Sequence, residues 1–258
     1  VDENSQTFTY QGWSVDVSDI DFTPDGQKVV FALRDLNNPN DFHDGQQVNI
    51  YLKDLMTGAI EQIDLVDGIN LADAYSSSPK ISNDGTKILF TSDKPLTLRD
   101  AIDDANNGRD EDLFIYDVSL QEITRVNQNQ DGSRIDPQGS AFSADLSGDG
   151  RFVSFNAMDG GHQVWRLELA TSEVVQVSKQ YEDGIYSQIS EDGRYVVYQA
   201  ANYSSGDIEI VAFDNLNNEY IDITHDALSF GDDGVSSQDI AQLSDNGNLI
   251  IWTWDDYT

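Results

Sequence analysis

The sequence predicts an all-β chain built from one small antiparallel sheet repeated along its length, and three observations carry that prediction. A tight-turn signal occurs five times: Thr23-Pro24-Asp25-Gly26, Ser82-Asn83-Asp84-Gly85, Ser147-Gly148-Asp149-Gly150, Ser190-Glu191-Asp192-Gly193 and Ser244-Asp245-Asn246-Gly247. Apolar residues keep a fixed distance from each glycine: Phe22, Ile81, Leu146, Ile189 and Leu243 before it, then Val29, Ile88, Val153, Val196 and Ile250, then Phe31, Phe90, Phe155, Tyr198 and Trp252. The acids are 37 Asp against 10 Glu, a ratio that favours turns over helical surfaces.

Each element follows in order. Asp-Gly or Asn-Gly supplies the positive φ of a tight hairpin, and apolar residues at period two put one face of each flanking strand into a core. A third strand follows the first four hairpins, at Val48 to Asp54, Leu113 to Asp117, Val164 to Leu169 and Ile208 to Asp214. A short fourth strand comes next, at Ile60 to Leu65, Glu122 to Val126, Glu173 to Val177 and Tyr220 to Thr224. A four-stranded meander repeated at this interval is the blade of a β-propeller. The blade hairpins fall near 18–31, 78–90, 143–155, 186–198 and 240–252, so residues 1–258 read as a single five-bladed domain. The fifth unit stops after its hairpin, and the alternating segment Gln6 to Tyr10 is expected to close that last blade, which would remove an open sheet edge.

The template Ser/Thr-x-Asp-Gly-x-x-Val/Ile-x-aromatic, followed by a strand such as Asp112-Leu113-Phe114-Ile115-Tyr116-Asp117, resembles the TolB-type, WD-repeat-like propeller family. The best copy is Ser190 to Tyr198, which is similar to the acidic, extracellular, adhesin-like version of that family. The resemblance covers residues 9–254 and implies the fold. Such propellers serve as binding platforms, enzyme domains and adhesin modules, so it implies no single function.

Charge narrows the partners. With 14 Lys+Arg against 47 Asp+Glu the formal net charge is −33, which repels nucleic-acid phosphates and acidic lipid headgroups. No run of apolar residues is long enough to insert in a membrane, and Val1-Asp2-Glu3-Asn4 lacks the features of a signal peptide, so the chain is expected to be a mature or excised piece of a larger chain or assembly. The absence of cysteine removes thiolate metal sites and thiol nucleophiles and fits either the cytosol or a bacterial exterior.

Three constellations are candidates for chemistry. The loop 104–112 carries Asp104, Asn106, Asp110 and Asp112 around Gly108, a spacing of oxygens able to wrap Ca2+, although one residue more than the related Asp-x-Asn-Gly loop separates Gly108 from Asp112. Asn127, Asn129 and Asp131, with Asp136 beyond Gly132, form a second calcium candidate that lacks an acid at its twelfth position, where Gln138 stands. Solvated loops are the alternative at both places. Five residues before each repeat glycine lie Asp21, Lys80, Asp145, Gln188 and Gln242, a polar row expected on the innermost strands, where it would hold water or a ligand's polar groups. Trp13, Tyr75, Tyr181, Tyr186, Tyr203 and Phe230 lie outside the repeat's core positions and are available to stack on a sugar or anchor a peptide.

Catalytic signals are sparse. His43, His162 and His225 fall in separate loops without metal-ligand spacing, and no Gly-x-Ser-x-Gly elbow or phosphate loop is present. The expectation is a non-catalytic recognition module of a secreted, cell-surface or periplasmic bacterial protein, binding protein or glycan through one face and stabilised by Ca2+. The enzymatic alternative is a five-bladed glycosidase that uses channel carboxylates such as Asp21 and Asp145.

Overall fold

The computed structural model describes residues 7–10, 13–35, 48–66, 75–98, 101, 111–133, 135, 142–158, 161–179, 182–202, 208–223, 242–243 and 250–251. The chain divides into two compact units, Val1–Val126 and Asn127–Thr258.

The first unit holds two sheets. One has the order β1-β2-β3-β4-β5, from Thr7–Tyr10, Trp13–Phe22, Lys28–Asp35, Val48–Asp54 and Ile60–Gln62. The other is β6-β7-β8-β9, from Ser76–Ile81, Lys87–Ser92, Asp112–Asp117 and Glu122–Arg125. The second unit holds β10-β11-β12-β13 (Phe142–Leu146, Phe152–Met158, His162–Glu168, Glu173–Gln176) and β14-β15-β16-β17 (Glu182–Ile189, Tyr195–Asn202, Ile208–Asp214, Glu219–Asp222). It also holds the pair β18-β19, Gln242–Leu243 with Ile250–Ile251. Every described ladder is antiparallel, so each full sheet is the meander expected from the repeat.

The opening strand corrects the sequence reading. Thr7–Tyr10 pairs with the start of β2, in register from Thr7↔Asp16 to Tyr10↔Trp13, as a fifth strand of the first sheet. Among the described residues its one ladder is with β2. Only two residues separate Tyr10 from Trp13, and a two-residue connection turns the chain straight back at far lower closure entropy than pairing with a distant strand.

The repeat turns show where much of the acid goes. In the four described turns the hydroxyl of the first residue donates to the third residue's carboxylate: Thr23 to Asp25 at 2.6 Å, Ser82 to Asp84 at 2.7 Å, Ser147 to Asp149 at 2.7 Å and Ser190 to Asp192 at 2.8 Å. The same carboxylate oxygens accept the N–H groups of Gln27, Thr86, Arg151 and Arg194, which closes the turn as an Asx motif. The acids that end the third strands act likewise. Asp54, Asp117 and Asp214 accept backbone N–H groups two and three residues ahead.

The inner strands β2, β6, β10 and β14 each carry a bulge seven residues before the repeat glycine, at Asp19, Ser78, Ser143 and Tyr186, all with φ between 47° and 54°. The ladders slip at these points, between Ser18 and Ile20, Ser77 and Lys80, Phe142 and Asp145, and Ile185 and Gln188. A non-glycine residue in this region is uncommon, and a bulge bends its strand and re-aims the side chains that follow.

Packing within each unit uses the same positions. In the first unit Ile81, Ile88 and Phe90 join Val30, Ile50, Leu52 and Phe114 in one buried cluster, whereas Phe22, the counterpart of Ile81, stays 63% exposed. In the second unit Phe152, Val164, Val196, Tyr198 and Phe213 form the corresponding cluster. Polar contacts link neighbouring sheets: Lys28 Nζ donates to the carbonyl of Gly85 at 2.9 Å, and Arg166 Nε to that of Gly193 at 3.0 Å.

Candidate functional site

The polar row expected on the inner strands takes up contacts between sheets. Asp21 Oδ2 accepts the N–H of Ile81 at 2.8 Å, and Asp145 Oδ2 accepts that of Ile189 at 3.0 Å. The bulge two residues earlier turns each carboxylate toward the neighbouring strand. Lys80 is exposed, Gln188 is half-buried, and only the backbone of Gln242, in β18, is described.

The metal candidates are placed as follows. Asp104, Asn106, Asp110 and Asp136 lie outside the described residues. Asp112 is buried on β8 with its carboxylate 3.8 Å from the Arg125 guanidinium, and Asn127 is buried two residues beyond Arg125. Asp131 Oδ1 accepts both the hydroxyl and the N–H of Ser133, while Asn129 Nδ2 donates to the Ser133 hydroxyl at 3.1 Å, so this segment closes on itself as a turn. Among the described residues no group of three or more His, Asp or Glu is placed to hold a metal ion. Of the aromatics outside the repeat, Tyr186 is exposed at its bulge and Tyr75 is half-buried; Tyr181, Tyr203 and Phe230 lie outside the described residues.

A cleft in the first unit is the site that periodicity and motif reading missed. It has a volume of about 710 Å³, with walls from the edge strand β5, residues 95–98 with Ala101, and the outer half of the second sheet. Glu61 on β5 and Tyr116 on β8 meet across it, the phenol donating to Glu61 Oε1 at 2.9 Å. Gln121 Nε2 donates to the same oxygen at 3.3 Å. Gln121 closes the β8–β9 turn with φ 55°, where β4–β5 has Gly58, so its side chain is carried on a strained backbone position. Apolar walls come from Ile63, Leu96 and Ile123, and Leu98 stands 82% exposed at the rim.

Electrostatics keeps the phenol neutral. Burial, then the hydrogen bond to Glu61 and that carboxylate's charge, push Tyr116 from 10.0 up to about 12. Behind the wall, Gln62 Nε2 donates to Asp64 Oδ1 at 3.0 Å, and Lys94 Nζ reaches Asp64 Oδ2 at 2.5 Å and Asn49 Oδ1 at 2.7 Å. Lys94 and Asp64 are both fully buried, and burial lowers the ammonium's pKa despite the carboxylate beside it. This pair ties the 93–98 wall to the end of β5.

A departure from the repeat marks the cleft in the sequence. The residue before the acid that ends the third strand is Lys53, Tyr116, Leu167 or Phe213, and only Tyr116 brings a hydroxyl there. Glu61 carries no such mark, because its partner lies 55 residues away.

Comparison with known structures decides the architecture. TolB from Acinetobacter baumannii matches 93% of this chain and 49% of its own, with a TM-score of 0.59 and 18% identity. The β-propeller domain of the Trilobed protease from Pyrococcus furiosus matches 93% of this chain and 63% of its own, at TM-score 0.55 and 14% identity. The fold is a β-propeller. A third solved structure, an oligogalacturonate lyase in complex with manganese, matches 97% of this chain and 78% of its own, at TM-score 0.56 and 17% identity. No protein-family model matches the sequence, and no curated protein does. The chain spans about half the length of the TolB it matches. At these identities the likeness is one of fold, and the neighbours include a protease domain and a lyase as well as TolB.

Proposed function

We propose that this β-propeller is a non-catalytic recognition module of a bacterial cell-envelope or cell-surface assembly, similar to the acidic adhesin-like propellers, and that it holds a protein or glycan ligand in the cleft between β5 and β8. The carrying observation is the Tyr116–Gln121–Glu61 cluster. Its two donors are spent on one oxygen of a carboxylate that faces a cleft of ligand size. A phenol held neutral to about 12 serves as a fixed hydrogen-bond donor and is poorly suited to exchange protons near neutrality. The TolB likeness supports the envelope location and the net charge of −33 supports a partner that is not anionic.

The test is a glycan array and a displayed-peptide library probed with the wild type and with Leu98→Asp, which puts a charge on the apolar rim. Ligands held by the wild type and lost by the variant support the reading; ligands held equally by both, or none, overturn the cleft as the recognition site.

The lyase neighbour favours a second reading in which carboxylates act on a polysaccharide. Polysaccharide cleavage that vanishes in Asp21→Asn or Asp145→Asn would establish it. Stabilisation by Ca2+ at Asp104, Asn106 and Asp110 belongs to the same proposal. It requires a higher melting temperature in calcium than in chelator, and equal melting curves would remove it.

A further inference from the structure

We propose that the cleft takes a cationic side chain, arginine or lysine, presented by an extended peptide that lies along the free edge of β5. The inference rests on the cleft being the recognition site and names the chemistry of what enters it.

Glu61 is the pointer. Its Oε1 accepts both internal donors, Tyr116 and Gln121, while its Oε2 accepts no hydrogen bond from any described residue. A carboxylate with one oxygen anchored and the other open is oriented to take a charge-assisted bond from a donor entering the cleft. Among the described residues no lysine or arginine lines the cleft. Three lysines of this unit are engaged elsewhere: Lys87 with Asp117, Lys94 with Asp64, and Lys28 with the carbonyl of Gly85. A cationic group brought by a ligand would complete the site.

The walls suit the stem of such a side chain. Leu96, Leu98, Ile63 and Ile123 offer apolar surface beside the carboxylate, and the aliphatic part of arginine or lysine packs on surface of this kind while its head stays polar. The strand geometry favours a peptide over a free amine. Among the described residues β5 is the terminal strand of its sheet and pairs only with β4, which leaves its outer edge for strand addition beside Glu61. A peptide in that position would place alternate side chains into the cleft.

The test is calorimetric titration of the whole chain with Ac-Leu-Arg-Leu-NH2, Ac-Leu-Glu-Leu-NH2 and butylguanidine. The arginine peptide should bind about tenfold or more tightly than the glutamate peptide, and Glu61→Gln should weaken it by about the same factor. Binding should fall as salt rises. Glu61 is exposed, so the variant should melt with the wild type; Tyr116→Phe, which leaves the charge in place, should lose much less than Glu61→Gln. Equal binding of the two peptides, or no response to Glu61→Gln, overturns the proposal. Butylguanidine binding as tightly as the arginine peptide overturns the peptide and leaves a free guanidinium as the ligand. If none of the probes binds while library ligands remain sensitive to Leu98→Asp, the cationic inference fails and the recognition cleft stands. If Leu98→Asp changes nothing either, both fall.

Discussion

Gly193 lies against the ring of Phe152, so close that a Cβ placed on it would sit 2.0 Å from Cδ2 of the ring. The Arg166 guanidinium lies over the same ring, 3.8 Å from its centroid, and Arg166 in turn donates to the Gly193 carbonyl. The turn of one sheet thus closes over an aromatic of its neighbour, and the glycine is required twice, for its φ of +70° and for the missing side chain.

Gly193→Ala should destabilise the chain by about 3 kcal/mol, the left-handed backbone and the overpacking each contributing. Gly26→Ala is the control, with a φ of +68° and nothing within 4 Å of the added Cβ. It should cost only about 1 kcal/mol. Denaturant midpoints of the two variants check the difference. Equal losses would mean that the Phe152 contact relaxes freely.

The Lys94–Asp64 pair should behave as a buried unit. Lys94→Met or Asp64→Leu alone leaves an unpaired buried charge and should cost about 3–5 kcal/mol. The double variant Lys94→Met with Asp64→Leu should cost less than either single change. A double-mutant cycle by denaturant unfolding checks this, and simple additivity would contradict the coupling.

Acid should weaken the second unit through Asp214. Hydrogen bonds from Arg194 hold this carboxyl at about 2, against its usual 3.8. The folded state binds the proton less readily than the unfolded chain, so the stabilisation is whole above about 3.8 and is lost as pH falls through about 2. In Asp214→Asn the loss of stability over that interval should be shallower than in the wild type, read from melting temperature against pH.

Tyr116 should titrate late. Its raised pKa gives stability that is complete below 10.0 and is lost as pH rises through about 12. Glu61→Gln removes the carboxylate but leaves the burial, so the midpoint should drop while staying above 10.0. The difference in tyrosinate absorbance between each protein and its Tyr116→Phe counterpart isolates this residue among the 11 tyrosines.

The strands and turns were legible in the sequence because their causes are local. A Ser-x-Asp-Gly turn closes on its own hydroxyl and carboxylate within a few residues, and alternation by two needs only neighbouring positions. Position along the chain therefore told where each sheet begins, and Val48–Asp54 and Ile208–Asp214 run as expected. The opening strand was misplaced because alternation says that a segment is a strand without naming its partner. The structure pairs it with β2.

What the sequence by itself determined is the unit of construction: a repeated antiparallel meander, its apolar face and its Asp-Gly corners, all set by interactions between residues a few places apart. Only the tertiary structure decided what the remaining polar groups do. It turned Asp21 toward Ile81, sixty residues away, buried Lys94 on Asp64, and brought Tyr116 to Glu61 across the cleft. The physical reason is one of range: hydrogen-bond geometry between distant segments depends on how sheets stack and where bulges re-aim their side chains, and a linear periodicity carries neither.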